Sequence, residues 1–567
     1  MSEVHDPDRR RWPWLMVAAL VAALGAFLAP DEWNLLEGAR PEVEVLHRGT
    51  VLVSGPLPSE GVGVYETVRG AGLRLMQPKV RETPDRHWLH VTLYADDSVR
   101  VPLGELQLYL VMPGGQRELI PAVRVDTDKA QVRYVRRPPR NARLALGLLG
   151  LVIVLWITAV IPLFVTSLLV PIVLVAGGGM PAEQALAPFF HPIIALFFAG
   201  FLMAEAMRRS ELDRRVALTL ITRAGRSPAT LFAALLGVSA FLSMWMSNTA
   251  AVAVLIPVAL AVTEPLAHLG YRKAVILGIA FAATTGGIGS AIGTPANPLA
   301  IEFLSAHLGR QISFVEWFAY GLPFVLLFLP VMGLYLWKRT DARLDPARFQ
   351  EARNTARREL RALGPLHRSE RLVLGVFVLV ILGWLTQQWH GVDTGIVALG
   401  GVVVLFVLRQ VESEDLGRIS WAALITFGGG LALGTFLMAS GTSDFLATRL
   451  VGLGRLPAPV SVTIVACCTL ALTAVASNTA TAAMLIPLAI PLASVLGIEP
   501  VLLVMVVAIA SSIDYAMVIG TPPTMLAYST RLFTTREIFR AGIVLDLLGV
   551  LVLVSACAAL WHVLGLA

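Results

Sequence analysis

The chain has 567 residues, 56% of them apolar and 15% charged, with a mean hydropathy of +0.71. That composition excludes an ordinary soluble enzyme and points to a polytopic membrane protein. The net charge of +6 sits on Arg and Lys beside apolar runs, with no basic patch interleaved with aromatics, which excludes a nucleic-acid partner. The three cysteines, Cys467, Cys468 and Cys557, all lie in apolar segments, which excludes a disulfide framework and a zinc centre.

Arg9, Arg10 and Arg11 precede an apolar run from Trp12 to Pro30. No convincing small-residue cleavage site follows, so residues 1–30 read as a cytoplasmic N-terminus and an uncleaved first membrane helix. Residues 31–142 change character. Hydrophobics alternate over Glu42–Leu46, His87–Tyr94 and Glu105–Val111, with Pro, Gly and Asp between. This period predicts short antiparallel strands, hence a small extracytoplasmic β-sandwich-like domain inserted after the first helix. His87 and His90 are three apart and would point to opposite faces of a strand, so with His47 they read as surface residues. Arg133, Arg136, Arg137, Arg140 and Arg143 then fall on the outer side, against a simple charge count, although folded domains translocate largely regardless of charge.

Residues 143–337 read as the first of two repeats. The apolar run 144–178 is too long for one span and contains Pro162 and Pro171, which predicts a helix, a break and a second helix. A span at 189–206 leads into a charged interfacial helix from Glu205 to Arg215. Residues 228–262 hold two short apolar arms about Ser247, which predicts a re-entrant hairpin. The next segment, 272–303, starts as a helix and dissolves at Thr284-Thr285-Gly286-Gly287. A clean span at 315–337 and a charged cytoplasmic linker at 338–370 follow. Residues 371–567 retrace this order, with spans at 371–388 and 394–409 and a glycine-containing one through Gly428, Gly429, Gly430 and Gly434. A hairpin at 458–492 about Ser477, a broken helix at 498–529 and a last span at 537–563 complete it. The fold expected is therefore an α-helical polytopic membrane protein of about eleven spans and two re-entrant hairpins. An odd number of spans per unit inverts the second repeat and leaves the C-terminus outside.

One stretch occurs twice. Ser247-Asn248-Thr249 opens a run to Ala259, and Ser477-Asn478-Thr479 opens a run to Ala489; at an offset of 230, nine of thirteen positions are identical. Gly293-Thr294-Pro295 follows the first and Gly520-Thr521-Pro522 the second, at an offset of 227. In hydrocarbon, backbone groups must be bonded, so such breaks survive only within protein or beside a water-filled site. Ser and Asn cap helix N-termini, and a helix starting at Asn248 or Asn478 aims its positive end at the break, which favours an anion. Unwound carbonyls and hydroxyls suit a hard cation. Interrupted apolar segments at matching places in two halves point to the binding site of a secondary transporter.

These paired motifs resemble the divalent anion/sodium symporter family of the ion transporter superfamily, which carries dicarboxylates, citrate or sulfate. The segment from Trp156 to Leu163 is similar to that family's opening helix, with Ala159 where the family has an acidic residue. The resemblance covers about residues 143–563 and leaves out the strand-rich insertion. It implies two or more sodium ions, one site in each half. Ser243, Ser247, Asn248 and Gly293 would hold the first, and Thr473, Ala476, Ser477, Asn478 and Gly520 the second. Ser247, Asn248, Thr249, Thr294, Ser477, Asn478, Thr479 and Thr521 would hold substrate carboxylates, with Pro522 lining the pocket. It also implies alternating access and a homodimer in the cell inner (plasma) membrane.

Two departures stand out. Asn297 in the first break is matched by Thr524 in the second, and the second break carries Asp514. An intramembrane acid is a functional candidate by default. Asp514 could bind a proton, strengthen the nearby cation site or repel a substrate of the wrong charge, or it could cap a backbone group or face water at the helix end. The function expected is sodium-coupled symport of a small divalent anion, foremost a C4-dicarboxylate such as succinate. The alternatives are a sodium-independent dicarboxylate exchanger, a sulfate transporter, an arsenite or proton carrier, and a membrane sensor whose β domain binds a ligand. No zincin, hydrolase or P-loop motif is present, so no enzyme activity is expected.

Overall fold

The computed structural model describes residues 11–27, ten strands between 42 and 135 as backbone, and residues 141–566 apart from 311, 341–343, 441 and 451–455. The chain divides into two compact units, one of residues 24–146 with 438–449 and one of the remainder.

The smaller unit contains β1 (Glu42–Leu46), β2 (Gly49–Pro56), β3 (Val64–Thr67), β4 (Leu73–Thr83) and β5 (Arg86–Ala95). It continues with β6 (Val99–Pro102), β7 (Leu108–Val111), β8 (Arg117–Ile120), β9 (Arg124–Asp128) and β10 (Gln131–Val135). They pair antiparallel in three sheets, of order β10-β1-β6, β4-β5-β2-β9 and β3-β7-β8. In the four-stranded sheet Val53 faces Val91, and β4 slips register between Met76 and Lys79, a bulge. His47 and the side chains of His87 and His90 lie outside the described residues.

The rest is helical. After α1 (Arg11–Phe27) come α2 (Asn141–Thr158) and α3 (Leu163–Ala176), the predicted helix, break and helix. The chain turns between them at Ala159, whose φ of 46° is left-handed. The short α4 (Ala182–Leu186) leads to α5 (Pro192–Arg209), α6 (Leu212–Ala224), α7 (Pro228–Ser243) and α8 (Asn248–Thr263). Then come α9 (Leu269–Gly287), α10 (Ala296–Leu308), α11 (Phe314–Lys338) and α12 (Pro346–Ala362). The second half runs α13 (Arg368–Leu385), α14 (Gln387–His390), α15 (Thr394–Val407), α16 (Trp421–Ala439) and α17 (Thr442–Arg449). It ends with α18 (Ala458–Thr473), α19 (Asn478–Leu496), α20 (Pro500–Ala510), α21 (Pro522–Ser529), α22 (Thr535–Val552) and α23 (Ala558–Val563). Among the described residues, five helices are long and apolar enough to cross a membrane, and a further set of apolar helices has 10–17 residues. The chain is thus a multi-pass membrane protein.

Two elements differ from the sequence expectation. The arms α7 and α18 are short, 16 residues each, or about 24 Å against a core of about 30 Å. Their partners are longer. A 3-10 turn at Glu264–Leu266 extends α8 to a largely apolar stretch of 19 residues, and α19 itself has 19 residues despite Pro487 and Pro491. The charged stretch 338–370 is also more than a linker. Asp345 caps α12, which buries Phe349, Ala352 and Ala356 against α6 and α8. Arg215 of α6 fastens the following turn by bonding Glu370 and the carbonyls of Leu363 and Gly364.

Candidate functional site

Each S-N-T motif forms the turn between two helices. Ser247 Oγ accepts the Ala250 N–H at 3.3 Å and starts α8; Ser477 Oγ accepts the Ala480 N–H at 3.2 Å and starts α19. The Asn side chains turn back to the preceding helices. Ser243 Oγ donates to Asn248 Oδ1 at 2.6 Å, and Thr473 Oγ1 donates to Asn478 Oδ1 at 2.9 Å. Donor and acceptor match at the offset of 230, so the sequence repeat is also a repeat of geometry.

The G-T-P breaks repeat as well. In the first half α9 ends at Gly287 and α10 begins at Ala296; in the second α20 ends at Ala510 and α21 begins at Pro522. The two repeats interlock there. The helix α10 packs against α19 and α20 of the other half, and α21 packs against α8 and α9. Tyr515 Oη and Thr285 Oγ1 bond at 2.8 Å across the halves, both side chains fully buried.

Tips and breaks border one cavity of about 1100 Å³. Ser247, Asn248, Thr249 and Thr294 of the first repeat line it, with Ser477, Asn478, Thr479, Thr521 and Pro522 of the second. Every residue the sequence assigns to substrate is therefore at its wall. Of the cation candidates, Gly293 and Gly520 also reach the wall. Ser243, Thr473 and Ala476 lie buried behind it. Asp514 is likewise behind the wall and fully buried. Pro162, Leu163 and Phe164 line the cavity next to the break after α2. Its charged lining is Glu205, Arg208, Asp213 and Arg418, remote in sequence from both motifs. Arg208 and Arg418 both bond Glu205, and Arg418 also reaches Asp415 at 3.1 Å. Burial pushes the Asp213 carboxyl up to about 6, against the Arg214 N–H that bonds it and the nearby Arg208.

At the motifs the wall offers two partial positive charges without a charged side chain. Two helix N-termini, one from each repeat, open on the cavity with hydroxyl and amide groups around them, an arrangement suited to an anion with two acidic ends. The cation candidates form oxygen cradles. A Cβ on Gly293 would lie 2.5 Å from the Gly287 carbonyl oxygen and 2.8 Å from that of Ser243. A Cβ on Gly287 would collide with Asn248 Oδ1. Only glycine leaves this space open. Among the described residues no cluster of three or more His, Cys, Asp and Glu gathers to hold a metal, so a cation would meet mainly hydroxyl, amide and carbonyl oxygens. Sodium fits that donor set.

Sequence reasoning missed the groups that hold the breaks together. Asp546 of α22 accepts the N–H of Tyr515 at 2.8 Å and of Ala516 at 3.1 Å. Trp317 of α11 donates to the Ile288 carbonyl at 3.0 Å. Gly321 and Gly542 let these helices approach: a Cβ on either would strike the carbonyl of Ile288 or Tyr515 respectively. Ile288 and Tyr515 are themselves related by the offset of 227, which was the available signal for α22. At the start of α5, His191 caps the Ile193 N–H and lies 3.2 Å from Glu302.

Comparison with known proteins identifies the family. Residues 138–567 match the family described as the sodium:sulfate symporter transmembrane region. The chain is 33% identical over 430 residues to a sodium-dependent dicarboxylate transporter SdcS of Staphylococcus saprophyticus, covering 70% of this chain and 82% of the relative. It is 32% identical over 427 residues to the SdcS of Staphylococcus aureus, with the same coverage. A solved structure of Neisseria gonorrhoeae MtrF, from a class of antimetabolite efflux pumps, is 12% identical over 67% of this chain and 83% of that one, with a TM-score of 0.49. The chain belongs to the sodium:sulfate symporter family, and it is a membrane transporter rather than an enzyme.

Proposed function

We propose that the protein is a sodium-coupled symporter of a divalent anion, foremost a C4-dicarboxylate such as succinate. The observation that carries this reading is the meeting of two S-N-T helix N-termini, one per repeat, at one cavity whose motif residues include no Lys or Arg. Such a wall holds a dianion through neutral donors, helix ends and bound cations together. The SdcS relatives are sodium-dependent dicarboxylate transporters, which supports both the cation and the substrate class.

Substrate carboxylates then bond Ser247, Asn248, Thr249 and Thr294 on one side and Ser477, Asn478, Thr479 and Thr521 on the other, over Pro522. One sodium ion sits with Ser243, Ser247, Asn248 and Gly293, and a second with Thr473, Ala476, Ser477, Asn478 and Gly520. Bound sodium supplies positive charge beside the substrate. The repeats are inverted, each tip re-enters from its own face, and the tips carry substrate across by alternating access. The short arms α7 and α18 support re-entry. The protein works as a homodimer with its strand-bearing unit and C-terminus outside the cytoplasm. Uptake of radiolabelled succinate into proteoliposomes tests the reading. An inward sodium gradient should drive uptake that potassium does not support; uptake indifferent to sodium would overturn the coupling, and none under any gradient the substrate.

A further inference from the structure

We propose that Asp514 is a direct anionic ligand of the second-half sodium site, which makes the two cation sites of this transporter electrostatically unequal. The inference rests on the symport reading above and adds to it a residue and a consequence.

Asp514 is fully buried, and among the described residues neither carboxylate oxygen has a hydrogen-bond partner. The Met517 N–H approaches it without hydrogen-bond geometry. The charged side chain acting on it is another acid, Asp546, whose own oxygens are taken by the N–H groups of Tyr515 and Ala516. A buried carboxylate left unpaired is costly. Protonation would remove the charge but would still leave one of the two oxygens without a donor. A cation satisfies both oxygens at once.

The position identifies the cation site. The Asp514 carboxylate packs on Gly520, where an added Cβ would collide with Oδ2. Gly520 corresponds to Gly293, and at the same offset of 227 Asp514 corresponds to Gly287. In the first half the Gly287 carbonyl stands 2.5 Å from a Cβ on Gly293, and a Cβ on Gly287 would point into Asn248 Oδ1. A side chain at this position of the repeat therefore enters the space shared by the tip asparagine and the break glycine. The first half leaves that space to neutral oxygens; the second puts a carboxylate into it. A hard monovalent cation there is bound more tightly and is locally neutralised, whereas a cation in the first half keeps its full charge for the substrate.

The test is a sodium titration of the purified full-length protein without substrate, at constant ionic strength with choline, read as the thermal unfolding midpoint. Wild type should rise with sodium. Asp514→Asn, which keeps the shape and removes the charge, should need at least about tenfold more sodium for half its effect. Asp514→Glu should restore part of the response. Gly520→Ala drives a methyl group into the carboxylate and should weaken sodium in the same way, which keeps the test open if Asp514→Asn does not fold. An unchanged half-saturating sodium in either folded variant overturns the proposal. So does a midpoint lowered equally at every sodium concentration, which marks a structural role. Wild-type midpoints insensitive to sodium would overturn the symport reading as well.

Discussion

The two halves build the same site and hold its broken helix by opposite means. In the first half the break is short of donors, and Asn297 supplies them. Its Nδ2 donates to the carbonyls of Gly287 at 3.0 Å, Ile288 at 3.3 Å and Ser290 at 2.6 Å, and Trp317 adds a bond to Ile288. In the second half Thr524 cannot reach so far; its hydroxyl bonds that of Thr521 at 2.9 Å. There the break offers N–H groups, and the Asp546 carboxylate takes two of them. Thr473, besides bonding Asn478, donates to the Ser511 carbonyl at 2.7 Å, which ties tip to break. A duplicated module can thus keep its geometry while its supports diverge. What must be met at membrane depth is the bonding demand of the backbone, and an amide or a carboxylate can each meet it.

The largest expected effect tests what the halves share. Asn248→Ala and Asn478→Ala each remove the tip amide and leave the hydroxyl of Ser243 or Thr473 without that acceptor. Losing such a buried bond costs about 1–3 kcal/mol before any ligand contact is counted. Sodium-driven uptake should fall at least about tenfold in each, far more than the accompanying drop of a few degrees in the unfolding midpoint would account for. Wild-type uptake in both would remove these residues from the site.

A smaller effect tests what the halves do not share. Asp546→Ala leaves the N–H groups of Tyr515 and Ala516 buried without acceptors, at about 1–3 kcal/mol each. Thermal unfolding should move down by several degrees, and Asp546→Asn, which retains one acceptor oxygen, should fall between. If both variants melt with wild type, the carboxylate is not what holds the second break.

The sequence made the ligand-bearing turns legible because their chemistry is local. Ser247 caps its own helix three residues on, as Ser477 does, and the duplication exposed both. Thr524 and Asp514 were visible as departures for the same reason. Asp546 was not, because it sits in an apolar helix 30 or more residues from the groups it bonds, where an isolated acid has no pattern around it. The packing of α12 on α6 was hidden too. Its many charges masked the few apolar residues, Phe349, Ala352 and Ala356, that form its buried stripe.

The smallest expected effect restores the missing symmetry. Thr524→Asn gives the second break the residue that Asn297 provides in the first. Thr524 is fully buried, and its backbone N–H already bonds Thr521 Oγ1 at 3.4 Å. The new amide has about the volume of the threonine but a different, planar shape in a filled space, and it brings donors to a break whose N–H groups already have Asp546. Stability should therefore shift by no more than about 1 kcal/mol, read as the unfolding midpoint, with uptake within about twofold of wild type. A rise of several degrees would mean that the carbonyls of the second break are short of donors as those of the first would be without Asn297. The two breaks would then share the demand for donors, and the Asp546 carboxylate, which can only accept, would meet the separate demand of the Tyr515 and Ala516 N–H groups.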